Sequence, residues 1–504
     1  MKIFSKKFLK EWDEFTIQHE PISSLDLMKR ASLQLTNRIV ELVPPSQKII
    51  VLCGTGNNGG DGLCIANYLR DKFYRVNVWY FHISSPSTDN LICLDVVKKT
   101  DEISIHHIDS STDVLPEVTE DCTFIDALMG YGFSGEWKNG WAQKIGELNQ
   151  LPHTKIAIDL PSGLSDENMF NTEAIMANYT LTLEVVKRCF YYEENVDIIG
   201  RVEVIPIGLH PKYYEQVQTK YHSIDQNYAQ SLLRPRGRFN QKWAYGHAAL
   251  IAGNSNTPGA AFLTAKACLR AGTGLLTCYF PKKVSNSLVQ YLPEAMSKPI
   301  GDEYLDGSIT LPSYITAYGV GPGIGRHEAS SKSVLLLLKN TLDIPKVIDA
   351  DAINMLAECT KDLSDYISQA VLTPHKKEFE RLFGIQKNRL SMEKTALEMA
   401  AKYNSVVILK GAFSRVCTPE GKIYYNTTGN PGMAKGGCGD VLTGMITGLL
   451  AQGYNLEEAA VLGVYLHGLS ADIAVKKTGE YSLFASDIID HIGQAFILTS
   501  NHSS

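Results

Sequence analysis

Residues 48–53, Lys-Ile-Ile-Val-Leu-Cys, form a continuous apolar run that ends in glycines. Residues 62–69 follow with apolar positions at helical spacing, and a second strand-like run occupies 75–80. This order predicts a strand, a helix and a strand, with the strands buried on both faces. Two further short runs, 122–125 and 155–158, each end in an aspartate, Asp126 and Asp159, followed by small residues. Ligands of an open parallel sheet sit outside the carboxyl ends of its strands, so both aspartates fall on the edge where a site would form. The first region is therefore predicted as a Rossmann-like, doubly wound α/β domain.

The buried-strand pattern stops near residues 208–211, and a polar stretch carries on to about residue 240. A domain boundary is expected there, dividing the chain into 1–215 and 225–504. The pattern restarts at 246–253, and an Ala-rich helix over 260–271 stops at Gly272. Further on, residues 347–352 deliver Asp349 and Asp351 to a turn, 371–379 deliver a Thr-Pro-His, and 406–412 deliver Lys410. The second domain is predicted as α/β too, and the N-terminus reads as an amphipathic helix.

Composition narrows the class. A chain of 504 residues holds two or three domains at roughly 150 residues each. With 44% apolar and 20% charged residues it is an ordinary globular protein. A formal charge of -6 without a long Lys/Arg cluster argues against a nucleic-acid footprint. No signal-peptide pattern and no run of roughly 18 uninterrupted apolar residues occurs, so no membrane partner is expected. The ten cysteines include no Cys-x-x-Cys, which fits buried thiols in a reducing compartment and a cytoplasmic location.

The richest chemistry lies at 429–440, a glycine-rich loop ending in Gly436-Gly437-Cys438-Gly439-Asp440 and followed by a helix-like run over 441–450. Glycines let several backbone N–H groups converge, and the helix adds roughly half a positive charge at its start. Such a loop holds a phosphate, although it lacks P-loop spacing. Asp440 sits where an anion is expected. It either caps its helix or takes a proton from a hydroxyl that attacks phosphorus, and the loop alone leaves the two even. The strand ends at 349–351, 373–375 and 410–411, together with the glycines of 319–325, tip the balance towards chemistry.

Gly-Ala-Ala at 259–261, Gly-Pro-Gly-Ile-Gly at 321–325, Asp-Ala-Asp-Ala-Ile-Asn at 349–354, Leu-Thr-Pro-His at 372–375, Leu-Lys-Gly-Ala at 409–412 and the 429–440 loop occur in that order. Together they resemble the ADP- or ATP-dependent NAD(P)H-hydrate dehydratase family over roughly residues 225–495. The resemblance implies a ribokinase-like fold and phosphorylation of the C6 hydroxyl of hydrated NADH or NADPH, followed by loss of phosphate. It implies Asp440 as the base and the amides of residues 437 to 440 as the cradle of the transferring phosphoryl group. Lys410, Gly411, Ala412, Phe413, Ser414 and Gly439 would contact the nucleotide, while Ala260, Gly323, His375 and Asp440 would contact the hydrated cofactor. ADP or ATP would be the donor, accompanied by magnesium. Three positions depart from the family pattern: Cys438 replaces the usual serine, Lys435 a small residue, and Phe413-Ser414 closes the lysine motif with an aromatic. Lys435 adds a positive charge beside the loop, which bears on nucleotide preference.

In the first domain, 54–62 contain a Gly-x-Gly-x-x-Gly between a strand and a helix, the setting of a dinucleotide site. Hydride-transfer enzymes need an acidic residue at the end of the next strand, yet 76–82 have none. Asn57, Asn58 and Asp61 remain among the glycines. Asn58, Asp126 and Ser162 could jointly offer oxygens to a hard cation, while turn chemistry alone would account for the asparagines. The segments 54–62, 126–132 and 158–164, with Ser-Leu-Asp-Leu-Met at 24–28, closely resemble the NAD(P)H-hydrate epimerase family over roughly residues 1–210. That resemblance implies potassium on Asn58, Asp126 and Ser162. It places the hydrated cofactor along Asn57, Asn58, Gly59, Gly60 and Asp61, along Gly130, Tyr131, Gly132, Phe133, Ser134, Gly135 and Glu136, and against Asp159. Asp159 is taken as the acid/base. Tyr131 stands where threonine is common, and 185–190 depart from the usual family wording.

The two resemblances complement one another, because one activity converts the C6 epimer that the other cannot use. The expectation is an isomerase and a lyase on one chain, acting on the hydrates NADHX and NADPHX with ADP or ATP, and assembled as a homo-oligomer. Two other readings stand beside it. One is a small-molecule kinase of the ribokinase-like class fused to a regulatory domain, for which the first domain's motifs have no use. In the other, the first domain is an inert binding or oligomerisation module.

Overall fold

A computed structural model describes residues 1–133, 135–166, 173–359 and 362–500. The chain forms two compact units, Lys2–Thr219 and Lys220–Ser504, with Met1 grouping with the second.

The first unit is built on a seven-stranded sheet. Its order is Ser104–Ile108, Val76–Phe81, Lys48–Cys53, Cys122–Ala127, Thr154–Ile158, Tyr179–Leu183 and Arg201–Ile205, and every neighbouring pair runs parallel. The chain starts in the middle, winds to one edge and returns to the other side. The topological switch point therefore lies between Lys48–Cys53 and Cys122–Ala127, where crossovers leave a crevice. Both faces are covered, as fully apolar strands require: one apolar cluster gathers around Leu35, Leu63 and Leu94, the other around Trp79, Phe124 and Trp141.

The glycine-rich segment differs from a loop. The helix Asn57–Asp71 begins at its first asparagine, so residues 57–61 are a first helical turn. Its glycines serve close packing: a Cβ on Gly59 would lie 1.8 Å from the Gly54 carbonyl oxygen, and one on Gly62 2.7 Å from the Ala127 Cβ.

In the second unit the strands Met296–Ser297, Leu275–Tyr279, His247–Ile251, Ala317–Val320, Lys346–Ile348, Ala370–Leu372 and Val406–Leu409 lie side by side and parallel. Arg415–Cys417 then pairs antiparallel on both sides, and Ile423–Asn426 and Tyr221–Ile224 follow in the order. The polar stretch after residue 211 thus hides a strand, Tyr221–Ile224, and a helix, Gln226–Leu232, which belong to this unit. The helix Cys438–Ala451 is buried along most of its length against Pro258–Arg270. A Cβ on Gly444 would lie 2.1 Å from the Thr264 carbonyl oxygen and one on Gly448 2.5 Å from that of Cys268, so glycine sets the distance between the two helices. Among the described residues Leu456–Thr478 is the helix long and apolar enough to cross a bilayer, but 78% of its most apolar window is buried inside the protein.

Candidate functional site

The second unit gathers its chemistry at the carboxyl ends of adjacent parallel strands. Asp349 follows Lys346–Ile348, Thr373 to His375 follow Ala370–Leu372, and Lys410 follows Val406–Leu409, so the three predicted strand ends are spatial neighbours. Lys410 Nζ lies 2.9 Å from Asp349 Oδ1, and the Thr443 hydroxyl donates to Asp349 Oδ2 at 2.7 Å. Asp351 is turned elsewhere and accepts from the Gly325 amide at 2.8 Å. Ala350 between them takes a φ of 48°, a left-handed backbone disfavoured for a residue with a Cβ. Gly321 accommodates this turn, because a Cβ there would fall 1.8 Å from the Asp349 carbonyl oxygen.

The glycine loop meets this edge through the helix Cys438–Ala451. Gly437 caps it with a φ of 93°, leaving the amides of the first turn without intrahelical partners. Gly439 faces the ion pair: a Cβ there would be 3.6 Å from Lys410 Nζ and 3.9 Å from Asp349 Oδ2. Asp440 is half-buried. Burial and the charge of Asp349 push its carboxyl up to about 7, against the pull of Lys410. Residues 411–414 form the turn into Arg415–Cys417, where the Ser414 hydroxyl donates to the Gly411 carbonyl at 3.3 Å and Arg415 donates to that of Phe413 at 3.2 Å. Ala260 and Gly323 are also brought together: a Cβ on Gly323 would lie 2.8 Å from the Ala260 Cβ. His375 is half-exposed and caps Lys376–Phe383, its Nδ1 accepting from the Glu378 amide at 3.2 Å.

Lys435 does not project freely beside the loop. Its ammonium donates to the Tyr481 carbonyl at 2.6 Å and lies 5.1 Å from the Phe484 ring centre. A residue absent from the predicted set joins the site. His467, in the helix Leu456–Thr478, is buried with Nε2 unpartnered, and burial followed by the charge of Lys410 pushes it down to about 4. Its only signal in sequence is a lone histidine in an apolar helix, which reads as core.

In the first unit Asp126 is fully buried and accepts from the Ser162 amide at 2.7 Å, the Ser162 hydroxyl at 2.5 Å and the Leu128 amide at 3.2 Å. Burial still pushes its carboxyl up to about 6, and among the described residues no lysine or arginine contacts it. The Met129 amide donates to Ser162 Oγ at 2.8 Å, and a Cβ on the next residue, Gly130, would lie 3.1 Å from Asn58 Oδ1. Asn58, Asp126 and Ser162 therefore line one contiguous place. Asn58 Nδ2 is buried without a partner there. A carboxylate, a hydroxyl and an amide with one uncompensated negative charge fit a hard monovalent cation.

Asp159 adopts a φ of 65°, and its Oδ1 pairs with Lys187 Nζ at 2.7 Å. Lys187 is 2% exposed and also donates to the Leu183 carbonyl at 2.8 Å. Two further carboxyls feel this pair. Asp61, buried and accepting from the Ser32 hydroxyl at 2.9 Å, is pushed well up by burial and by Asp159. Asp13, from the first helix Lys6–His19, is pushed up to about 7 by burial and by Asp159, with Lys187 opposing. Sequence reasoning missed Asp13 and Lys187. Lys187 lies in the 185–190 segment that departs from the family wording, which was its one signal.

Of the remaining predicted residues, Gly59 and Gly60 are buried in the first helical turn, whereas Asn57, Gly132 and Glu136 are exposed. Phe133 is buried with its ring centre 4.8 Å from that of Trp137, and Gly135 beside it is buried. The Tyr131 hydroxyl donates to Asp166, which also accepts from the Cys189 amide at 2.9 Å. Ser134 lies outside the described residues.

Family comparison matches residues 248–494 to NAD(P)H-hydrate dehydratase and residues 24–189 to the YjeF-related protein N-terminus. By sequence the chain is similar to the bifunctional NAD(P)H-hydrate repair enzyme of Moorella thermoacetica, 32% identical over 495 residues that cover 94% of this chain and 92% of that one. It is also similar to the protein of the same description from Coxiella burnetii, 31% identical over 97% of this chain and 98% of that one. Among solved structures, it is similar to an ADP/ATP-dependent NAD(P)H-hydrate dehydratase from Bacillus subtilis co-crystallized with ATP/Mg2+. That likeness has 31% identity and a TM-score of 0.48, covering 55% of this chain and 98% of that chain.

Proposed function

This chain belongs to the bifunctional NAD(P)H-hydrate repair enzymes, and from that premise we propose which unit carries each reaction and which residues perform it. The protein repairs hydrated NADH and NADPH by epimerising the R and S C6-hydrates and by nucleotide-dependent dehydration of the S-hydrate. We assign dehydration to the unit Lys220–Ser504 and epimerisation to Lys2–Thr219.

In the dehydratase unit, Asp440 takes the proton of the C6 hydroxyl, whose oxygen attacks the terminal phosphorus of ADP or ATP. The free amides at the start of Cys438–Ala451 hold the charge that develops on the transferring phosphoryl group. Lys410 balances the phosphates, and its pairing with Asp349 fixes where its ammonium sits. Residues 411–414 and Gly439 border the nucleotide, while Ala260, Gly323 and His375 border the hydrated cofactor. Phosphate then leaves with the C6–O bonding pair, and loss of a ring proton restores the dihydronicotinamide. AMP and phosphate result if ADP is the donor. Magnesium, which suits phosphate oxygens, would neutralise the nucleotide's charge.

In the epimerase unit, Asp159 serves as acid/base for departure and return of the C6 oxygen, with Lys187 fixing its position. Asn57 to Asp61 and residues 130–136 line the cofactor. Asn58, Asp126 and Ser162 would hold potassium, which supplies a fixed positive charge beside the substrate. The observation that carries the proposal is Asp440: a half-buried carboxyl held near 7 at a free helix start, beside a paired lysine.

The test is to incubate the protein with mixed epimers of hydrated NADH and either ADP or ATP, and to follow the absorbance of the restored dihydronicotinamide. Both epimers should be consumed. Failure with both nucleotides, or unimpaired turnover by Asp440→Asn, overturns the assignment.

A further inference from the structure

Outside these sites, the helices Asn57–Asp71 and Thr88–Lys98 of the first unit approach one another closely, because a Cβ on Gly60 would lie 3.6 Å from the Asn90 Cα. One helical turn further on, the same two faces carry Cys64 and Cys93. Their sulfurs lie 3.2 Å apart. Both border a cavity of about 80 Å³, shared with Leu25, Lys29 and Tyr68 and edged by the exposed Ile92 and Val96. This volume accommodates a small polar oxidant, since a single water needs only about 15 Å³ by the same measure. Neither thiol has a part in the two reactions.

We propose that Cys64 and Cys93 form a redox-active dithiol, a modification site at which a peroxide entering the cavity closes a disulfide between the two helices. The sulfurs are within reach of a bond after a small side-chain rotation. Either sulfur can donate in the hydrogen bond the two share, and we take Cys93 as the attacking sulfur: with the Cys64 thiol donating, Cys93 is held as the thiolate, while Lys29 favours the charged form of both sulfurs and Asp61 disfavours that of Cys64. Its electron pair takes one oxygen of hydrogen peroxide, the O–O bond breaks, and the departing hydroxide leaves as water with the thiol proton. The Cys64 sulfur then displaces the second oxygen from the sulfenic acid, again as water. Two thiols lose two hydrogens and two electrons, and one peroxide becomes two waters. The bond ties the helix that bears Asn57 to Asp61 to its neighbour.

The test uses the reduced full-length protein treated with hydrogen peroxide under native conditions, then alkylated, digested and mapped by mass spectrometry. The expected result is a linked peptide containing Cys64 and Cys93, removed by dithiothreitol and lost in both Cys64→Ser and Cys93→Ser. Cys64→Ser should instead leave Cys93 as a sulfenic acid trapped by dimedone. Retained epimerase turnover in reducing buffer would show that the first unit remains folded in both variants. Recovery of both cysteines as separate alkylated peptides, their overoxidation without a link, or links spread equally over other cysteines overturns the proposal.

Discussion

Asp349 is held between Lys410 Nζ at 2.9 Å and the Thr443 hydroxyl at 2.7 Å, which fixes a buried negative charge against the helix turn that carries Asp440. That charge helps to keep the Asp440 carboxyl high, while Lys410 pulls the other way. Asp349→Asn removes the repulsion and frees Lys410 to face Asp440, so both changes act in one direction. The acid limb of the dehydratase pH profile should move below that of the parent. A limb that stays in place would show that the two carboxylates are not coupled.

Asp440 itself sets a second expectation. A base held near 7 gives a dehydratase kcat/KM that falls about tenfold per pH unit below 7 and levels off above it. Asp440→Asn should lose a factor of about 10²–10⁴ in turnover and still bind nucleotide, as titration calorimetry would reveal. The stability sign is opposite. A carboxyl raised on folding contributes stability that is whole below about pH 4 and lost as pH rises to 7, so the melting temperature of the asparagine variant relative to the parent should climb from pH 4 to pH 7 and level off above it.

What the sequence discloses follows from how each residue is placed. Lys48–Cys53, Cys122–Ala127, Lys346–Ile348 and Val406–Leu409 are readable because apolar runs stop at the sheet edge, the first at glycines and the others where a polar residue emerges. Tyr221–Ile224 and Gln226–Leu232 are short and of mixed polarity, so their segment resembles a linker. Glycines at 59, 60 and 62 suggest a loop because glycine usually breaks helices, whereas here they admit neighbouring backbone and side chains. The Lys187 to Asp159 pair depends on two segments that meet only after folding.

Neutralising Asp159 should damage more than catalysis. Lys187 is 2% exposed, so Asp159→Asn leaves a buried ammonium without its counter-charge, at a cost of about 3 kcal/mol. Denaturant unfolding of Asp159→Asn and of the double variant Asp159→Asn/Lys187→Met separates the effects. The double variant should recover much of the stability and none of the epimerase rate, measured where spontaneous epimerisation is slow. Recovery of the rate as well would reduce Asp159 to a partner for Lys187.

A cation beside Asp126 makes the stability of the first unit depend on potassium. Asp126 is buried and bound by Ser162 and Leu128, yet no cationic side chain contacts it among the described residues. At constant ionic strength, replacing choline with potassium should raise the thermal midpoint of the parent, adding about 1.4 kcal/mol for each tenfold of potassium above its dissociation constant. Asp126→Asn should lose this dependence. In choline the variant loses hydrogen bonds that an amide nitrogen cannot accept from Ser162 and Leu128, offset by removal of a buried charge; in potassium its deficit should be larger, because the parent alone gains the ion. Ser162→Ala, which removes a hydroxyl and leaves the charge, should weaken the potassium response without abolishing it. If Asp126→Asn is destabilised equally in both salts, the carboxylate serves only its hydrogen bonds with Ser162 and Leu128, and potassium has no place there.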